Sequence, residues 1–214
     1  MKVGIVALGS HQERHGAALP LDTDARIAEY MAEKVSERTG SEFLGTLKSA
    51  YELPGIDTGK HESLDEVAEE LKGALRDAKE EGVSGVVLVN AHGGNQELEK
   101  RLEEIGEETK VELGMDSTIC NLEGPHAGTG ELSIGAVLGI TDESRIEEHG
   151  EVDRYPEVGF VGFEEAREKY EWAEEHAREI IEEGVEIDRS LGRDLLRKSI
   201  ASAAEKVREL KSRD

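Results

Sequence analysis

The run Gly85-Val86-Val87-Leu88-Val89 constrains this chain more than any other segment. Its apolarity is unbroken rather than alternating, the pattern of a strand covered on both faces, and such strands sit in parallel sheets with helices on either side. Asn90-Ala91-His92-Gly93-Gly94-Asn95 follows at once, and Gln96 to Lys110 carries Leu98, Leu102 and Ile105 at helical spacing. The segment therefore reads as strand, glycine loop and helix.

The alternation recurs along the chain. Val3 to Leu8 and Phe43 to Leu47 read as strands, and Val111 to Leu122 as a further strand weakened by Gly114 and Asp116. Asp22 or Thr23 can cap a helix with Ile27, Tyr30, Met31 and Val35 on its apolar face, closed by Gly40. Ser63 and Glu66 form a capping box before Leu64, Val67, Leu71 and Leu75, and that helix stops at Gly82. Glu131 to Leu138 has helical spacing and ends at Gly139, while Phe163 to Glu183 and Arg189 to Lys211 read as two charged amphipathic helices. The stretches 9–21, 53–62, 124–130 and 155–162 are connecting segments rich in glycine or proline. The order predicts one domain over residues 1–214, an α/β fold in which a largely parallel sheet is flanked by helices in three layers. In open sheets of this kind ligands gather beyond the carboxyl ends of the strands, so the loops after Leu8 and after Val89 should meet.

Charge narrows the partners. Lys and Arg number 26 against 49 Asp and Glu, a net charge of −23. This excludes nonspecific binding to nucleic acid or an anionic membrane. Glu alone contributes 38 residues and Lys 12, a balance that fits a surface hydrated in concentrated salt or, equally, long solvated helices. No stretch approaches the roughly 18 apolar residues of a membrane span, and no signal-peptide pattern opens the chain, so the expectation is a cytoplasmic protein. The single cysteine, Cys120, excludes an internal disulfide framework and a cysteine-rich zinc site. It reads as a small buried residue, which leaves histidines and carboxylates as the metal ligands.

Three constellations can carry chemistry. Glu13 and His15, two residues apart in an extended loop, share a side, and the turn from Gly16 to Pro20 can bring Asp24 back to them. The plainer reading has Glu13 solvated and Asp24 serving the helix start. His92 leaves the strongest strand at the sheet edge where a site is expected, with a satisfied core histidine as the plain alternative. His126 and Glu131 flank a glycine-rich loop, His126-Ala127-Gly128-Thr129-Gly130-Glu131-Leu132-Ser133, where Glu131 can also simply compensate the helix dipole. His61, His149 and His176 lie in polar or helical surroundings and read as surface residues.

Taken together, Glu13-Arg14-His15-Gly16-Ala17-Ala18-Leu19-Pro20 with Asp24, then Asn90 to Asn95, then His126-Ala127 leading to Glu131-Leu132-Ser133, resemble the signature blocks of the creatininase family of dinuclear-metal amidohydrolases. Leu19 to Asp24, Gly130 to Ser133 with Val137 to Ile140, and Tyr155 to Gly159 resemble an archaeal branch that hydrolyses the formamide of a formylaminopyrimidine ribonucleotide. The resemblance covers most of the chain and implies a creatininase-like fold. It places Glu13 and His92 on one metal, His15 on the other and Asp24 between them. It also implies two divalent ions, Fe(II) in this branch with Zn or Mn as alternatives, and a homo-oligomer. Formate and a diaminopyrimidinone ribonucleotide would be the products, on the archaeal route to riboflavin and the deazaflavin coenzyme, with Glu131 or His126 passing a proton to the leaving amine. Creatinine-hydrolysing members usually carry a second His where this chain has Ala18 and an acid where it has Gly94, so creatinine is disfavoured and Glu131 becomes the candidate for the missing carboxylate. Arg14, Lys60 and the Gly93-Gly94 amides are the candidate phosphate donors. Two further readings stay open, hydrolysis of another amide on the same fold and a catalytically inert metal- or nucleotide-binding protein.

Overall fold

The computed structural model describes residues 1–213. Four parallel strands lie in the order β2-β1-β3-β4, with β1 at Val3–Leu8, β2 at Glu42–Leu47, β3 at Gly85–Asn90 and β4 at Glu112–Asp116. The two central strands are fully buried, as unbroken apolar runs require. Their side chains alternate between two cores. Val3, Ile5, Ala7, Val87 and Val89 pack beneath α1 (Thr23–Thr39) and beside α5 (Thr129–Leu138) and α9 (Arg189–Lys211), whereas Val6, Leu8, Val86 and Leu88 face α2 (Leu64–Glu80) and α3 (Leu102–Thr109). This is the expected three-layer arrangement.

The other helices that follow β4 are α4 (Thr118–Leu122), α6 (Ile146–His149), α7 (Glu164–Lys169) and α8 (Glu171–Glu183). No helix among the described residues is long and apolar enough to cross a membrane. Because β2 and β3 flank β1 on opposite sides, the chain leaves β1 and β3 in diverging directions, and a crevice opens at their carboxyl ends.

Three expectations need correction, the first and third for a tertiary reason and the second for a local one. The helix expected over 96–110 begins as a 3₁₀ turn, Gly94–Arg101, and becomes α-helical only at Leu102. Asn95, which could have capped it, instead accepts a hydrogen bond from the Tyr51 backbone N–H at 2.9 Å. The strand expected to reach Leu122 stops at Asp116, whose carboxylate accepts the Thr118 N–H at 3.2 Å and starts α4. The helix expected over 163–183 breaks at Tyr170, which is extended (φ −121°, ψ 114°) and whose hydroxyl donates to the Pro54 carbonyl at 3.1 Å.

The Ser63 capping box is present, with the Ser63 hydroxyl accepting from the Glu66 N–H at 3.3 Å and the Glu66 carboxylate accepting from the Ser63 N–H at 2.9 Å. Ser63→Ala should lower stability by about 1 kcal/mol, read as a lower denaturation midpoint at unchanged slope.

Candidate metal centre

The loop after β1 is built by pairing with a distant segment. Arg14 N–H donates to the Thr58 carbonyl at 2.7 Å, Lys60 N–H donates to the Gln12 carbonyl at 3.0 Å, and Glu13 bridges Gly59. This pins Glu13 and His15 as an extended pair, both buried. Thr58 Oγ1 donates to Glu13 Oε1 at 2.8 Å, while the buried Glu13 Oε2 has His92 Nδ1 beside it at 2.9 Å.

The three site histidines share one arrangement. His15 Nδ1 donates to the Glu13 carbonyl at 3.0 Å, His92 Nε2 to the Tyr51 carbonyl at 2.9 Å, and His126 Nε2 to the Arg14 carbonyl at 2.8 Å. A carbonyl can only accept, so each ring's outer nitrogen carries a proton and its inner nitrogen is turned toward the buried carboxylates. This is how proteins orient imidazoles that bind metals. The inner nitrogens converge on carboxylates. His15 Nε2 lies 2.8 Å from Asp24 Oδ1, and His92 Nδ1 lies 2.9 Å from both Asp24 Oδ2 and Glu13 Oε2. Asp24 thus spans the two histidines with one oxygen to each. Glu131 Oε2 lies 3.4 Å from His15 Nε2 and accepts no hydrogen bond, while its Oε1 is 3.7 Å from His126 Nδ1.

Three overlapping donor groups result, Glu13-Glu52-His61-His92, Glu13-His15-Asp24 and His15-His126-Glu131, with the donor atoms of each within 4.8 Å of one another. The donor set is entirely imidazole and carboxylate and suits Zn, Fe or Mn. Glu131 Oε2, buried and without a hydrogen-bond partner, and Glu13 Oε2, set against His92, are the atoms a cation would satisfy.

Electrostatics point the same way. A cavity of about 540 Å³ is lined by Glu13, Asp24, Glu52, Glu123 and Glu131 together with His92 and His126, and among the described residues no Lys or Arg lines it. Burial, reinforced by neighbouring acids, pushes the Glu131 carboxyl up to about 8 and that of Glu123 well above the usual range. Burial likewise raises Glu52 to about 7. Burial would also raise Glu13, but His92 and His126 outweigh it and hold that carboxyl well below its usual range. For His15 burial alone lowers the pKa, yet Asp24 and Glu131 carry it up to about 10, and His92 is raised by Glu13 and Asp24 against the same burial. His126 goes the other way, to about 4, because burial and the His15 charge both disfavour its protonation. The chain's own cations under-compensate these carboxylates, and divalent ions would neutralise the excess.

Glu13, His15, Asp24, His92, His126 and Glu131 are therefore all brought together, each from a segment singled out in the sequence. Glu52, His61 and Glu123 were missed. Glu52 and His61 sit on the loop after β2, which ends at the same sheet edge as the other two, so the rule that joined those loops would also have found this one. Three histidines read as surface residues are not. His149 is fully buried, accepting the Ala18 N–H at 3.0 Å through Nδ1 and donating to the Ala127 carbonyl at 2.7 Å through Nε2, so it braces the loops. The His61 ring stacks on His92, and His176 lines the cavity. Of the phosphate candidates, the Arg14 guanidinium is turned to the Asp57 carbonyl and Lys60 is exposed beside Glu62, so neither lines the cavity. Gly93 and Gly94 do line it.

Gly94 also has a steric duty. A Cβ there would meet the Tyr51 carbonyl oxygen, the acceptor that orients His92. Gly94→Ala should therefore weaken metal affinity by about 10- to 100-fold, measured by competition with a chromogenic chelator.

The chain is similar to known proteins along nearly its whole length. The family model described as "Creatininase: Creatinine amidohydrolase" matches residues 1–206. The chain is 45% identical over 211 residues to a protein of Methanothermobacter marburgensis, covering 98% of this chain and 90% of the relative. It is 43% identical over 210 residues to a protein of Methanobrevibacter smithii, covering 98% and 91%. Both are named 2-amino-5-formylamino-6-ribosylaminopyrimidin-4(3H)-one 5'-monophosphate deformylase. Among solved structures, a mutant creatininase of the zinc–zinc type superposes with a TM-score of 0.66 at 14% identity, over 97% of this chain and 90% of that one. A match running from the first residue through nearly all of α9, on a fold shared with those structures, shows that the chain belongs to the creatininase family.

Proposed function

We propose that residues 1–214 form one amidohydrolase domain that hydrolyses the formamide of the formylaminopyrimidine ribonucleotide for which the relatives are named, releasing formate and the 2,5-diaminopyrimidinone ribonucleotide. The observation that carries this reading is the pair His15 and His92, whose inner nitrogens meet the two oxygens of one buried aspartate. Glu13 and His92 would hold one divalent ion and His15 the other, with Asp24 between them and Glu131 at hand for the second. Such ions supply Lewis-acid polarisation of the formyl oxygen and lower the pKa of water to near neutrality. Two Fe(II) per chain is our assignment, and Zn or Mn has the same donors available.

The chain's residues then manage protons and orientation. Water oxygen adds to the formyl carbon, and the carbon–nitrogen bond breaks as the leaving amine takes a proton. His126, with Nε2–H fixed on the Arg14 carbonyl, can receive a proton only at Nδ1, which faces Glu131. Glu131 presents one oxygen to His126 and the other to His15, so it can pass the water's proton toward the amine from beside the position where His15 would hold an ion. This pair does the acid–base work. The setting we propose is a cytoplasmic homo-oligomer on the archaeal route to riboflavin and the deazaflavin coenzyme.

A creatinine hydrolase is the second reading, and two positions count against it. Gly94 carries no acid, and Ala18 is buried with its N–H bonded to His149. Offering the Fe(II)-loaded protein the formylaminopyrimidine nucleotide and creatinine in parallel should give formate from the first and no creatine from the second. The reverse outcome would reject the assignment.

The net charge of −23 opposes entry of an anionic substrate. Since the Debye length falls from about 30 Å at 0.01 M salt to about 3 Å at 1 M, KM should fall severalfold as salt is raised over that range. Steady-state kinetics at stepped salt concentrations check this, and a steep rise in KM would contradict it.

A further inference from the structure

Aromatic residues make up only 4% of the chain, with a single tryptophan, yet Trp172 and Phe160 both line the cavity and pack with Tyr170 and Phe163. Trp172 meets Phe160 edge-on at 5.5 Å and stacks on Tyr170 at 5.6 Å. Trp172 keeps 36% of its surface exposed. Phe160 has φ 58°, a left-handed conformation that phenylalanine rarely adopts, and its ring lies parallel to His126 at 5.1 Å. An exposed indole and a strained phenylalanine at a cavity wall are costs that packing alone does not explain.

Two unsatisfied polar atoms border the same wall. His176, one turn beyond Trp172 on α8, meets it edge-on at 5.5 Å, and its Nδ1 is buried without a hydrogen-bond partner. Glu123, which lines the same cavity, also has its Oε2 buried and unpartnered. The adjacent Gly124 lies near Glu179, on the α8 face that carries Trp172 and His176, so the Glu123 loop borders the aromatic wall. A flat ligand with apolar faces and a polar edge would satisfy both the exposed ring and the two polar atoms.

We propose that Trp172 and Phe160 form a base subsite that stacks an aminopyrimidinone ring, with Glu123 and His176 reading its polar edge. The inference rests on the deformylase reading, since the relatives' substrate carries that ring. Its 2-amino group and N3–H are adjacent donors that one carboxylate can accept together, and its 4-oxo group is an acceptor for an imidazole N–H. The subsite would select the heterocycle while the histidine–carboxylate centre acts on the formamide.

The test has two readouts. Trp172→Ala should raise KM by about 5- to 100-fold with kcat changed less than about threefold, the range expected for loss of one stacked base. Trp172→Phe should restore most of the affinity, and Glu123→Gln should raise KM while leaving the fold unchanged. Independently of turnover, 2,6-diaminopyrimidin-4-one should quench the fluorescence of Trp172 in the metal-free protein at concentrations at least about tenfold lower than uracil, which lacks the 2-amino donor. Wild-type formate release together with unchanged KM in Trp172→Ala and no preferential quenching would overturn the subsite alone. Absence of formate from the wild-type protein would instead overturn the deformylase reading, and quenching would still report on the subsite.

Discussion

His92→Ala should abolish metal-dependent formate release, lowering kcat/KM by at least about a thousandfold, on the order of 4 kcal/mol of transition-state stabilisation. His92 Nδ1 lies 2.9 Å from the carboxylates of both Glu13 and Asp24, and its outer nitrogen is fixed on the Tyr51 carbonyl. Without it two buried carboxylates face each other with no imidazole between them, so the ion they share should bind far more weakly. The fold should survive, because the cores above and below β3 are formed by Val86 to Val89 and do not include His92. Formate assay, metal analysis and circular dichroism on the same preparation separate these effects. Turnover at the wild-type rate would sink the metal mechanism.

Asp24→Asn should have the second largest effect, a loss of at least about a hundredfold in kcat/KM with bound metal falling below that of the wild type. The substitution keeps the shape of a residue only 4% exposed but removes the one anion placed between His15 and His92. An amide cannot offer two equivalent anionic oxygens to two cations. Asp24 also lies in the first turn of α1, so the change should cost about 0.3–1 kcal/mol of stability through the helix dipole. Metal stoichiometry is the deciding measurement. Full metal content and full activity in the Asp24→Asn variant would show that Asp24 merely supports the helix start, the plainer reading of the sequence.

Period and spacing carried a large part of this architecture. The unbroken apolar runs of β1 and β3 implied burial on both faces, and Gly40, Gly139 and the Ser63 capping box closed or opened helices where local chemistry said they should. What local pattern could not reveal was set by distant partners. Tyr170 breaks a helix where its hydroxyl reaches Pro54, and Asn95, in the first turn after β3, is drawn to Tyr51. The site divides in the same way. Glu13, His15, Asp24, His92, His126 and Glu131 lie in short motifs bearing glycine or proline, which made them visible. Glu52 and His61 flank a loop with Pro54, Gly55 and Gly59 of its own, and pairing of residues 12–14 with 58–60 carries that loop to the centre. His149 looked like a helical surface residue because nothing in its neighbourhood announces that two backbone groups from other loops will satisfy both its nitrogens.

The most direct test of the central claim is a metal titration read two ways. The protein is stripped with a chelator, Fe(II) is returned anaerobically in fractional equivalents, and bound iron and formate release from the formylaminopyrimidine nucleotide are measured on each sample. The stripped protein should release no formate, and activity should rise with bound metal to a plateau at about two ions per chain, the spacing of two-metal hydrolytic centres matching one bridging carboxylate. Formate release at the full rate from protein holding only trace metal would contradict the account.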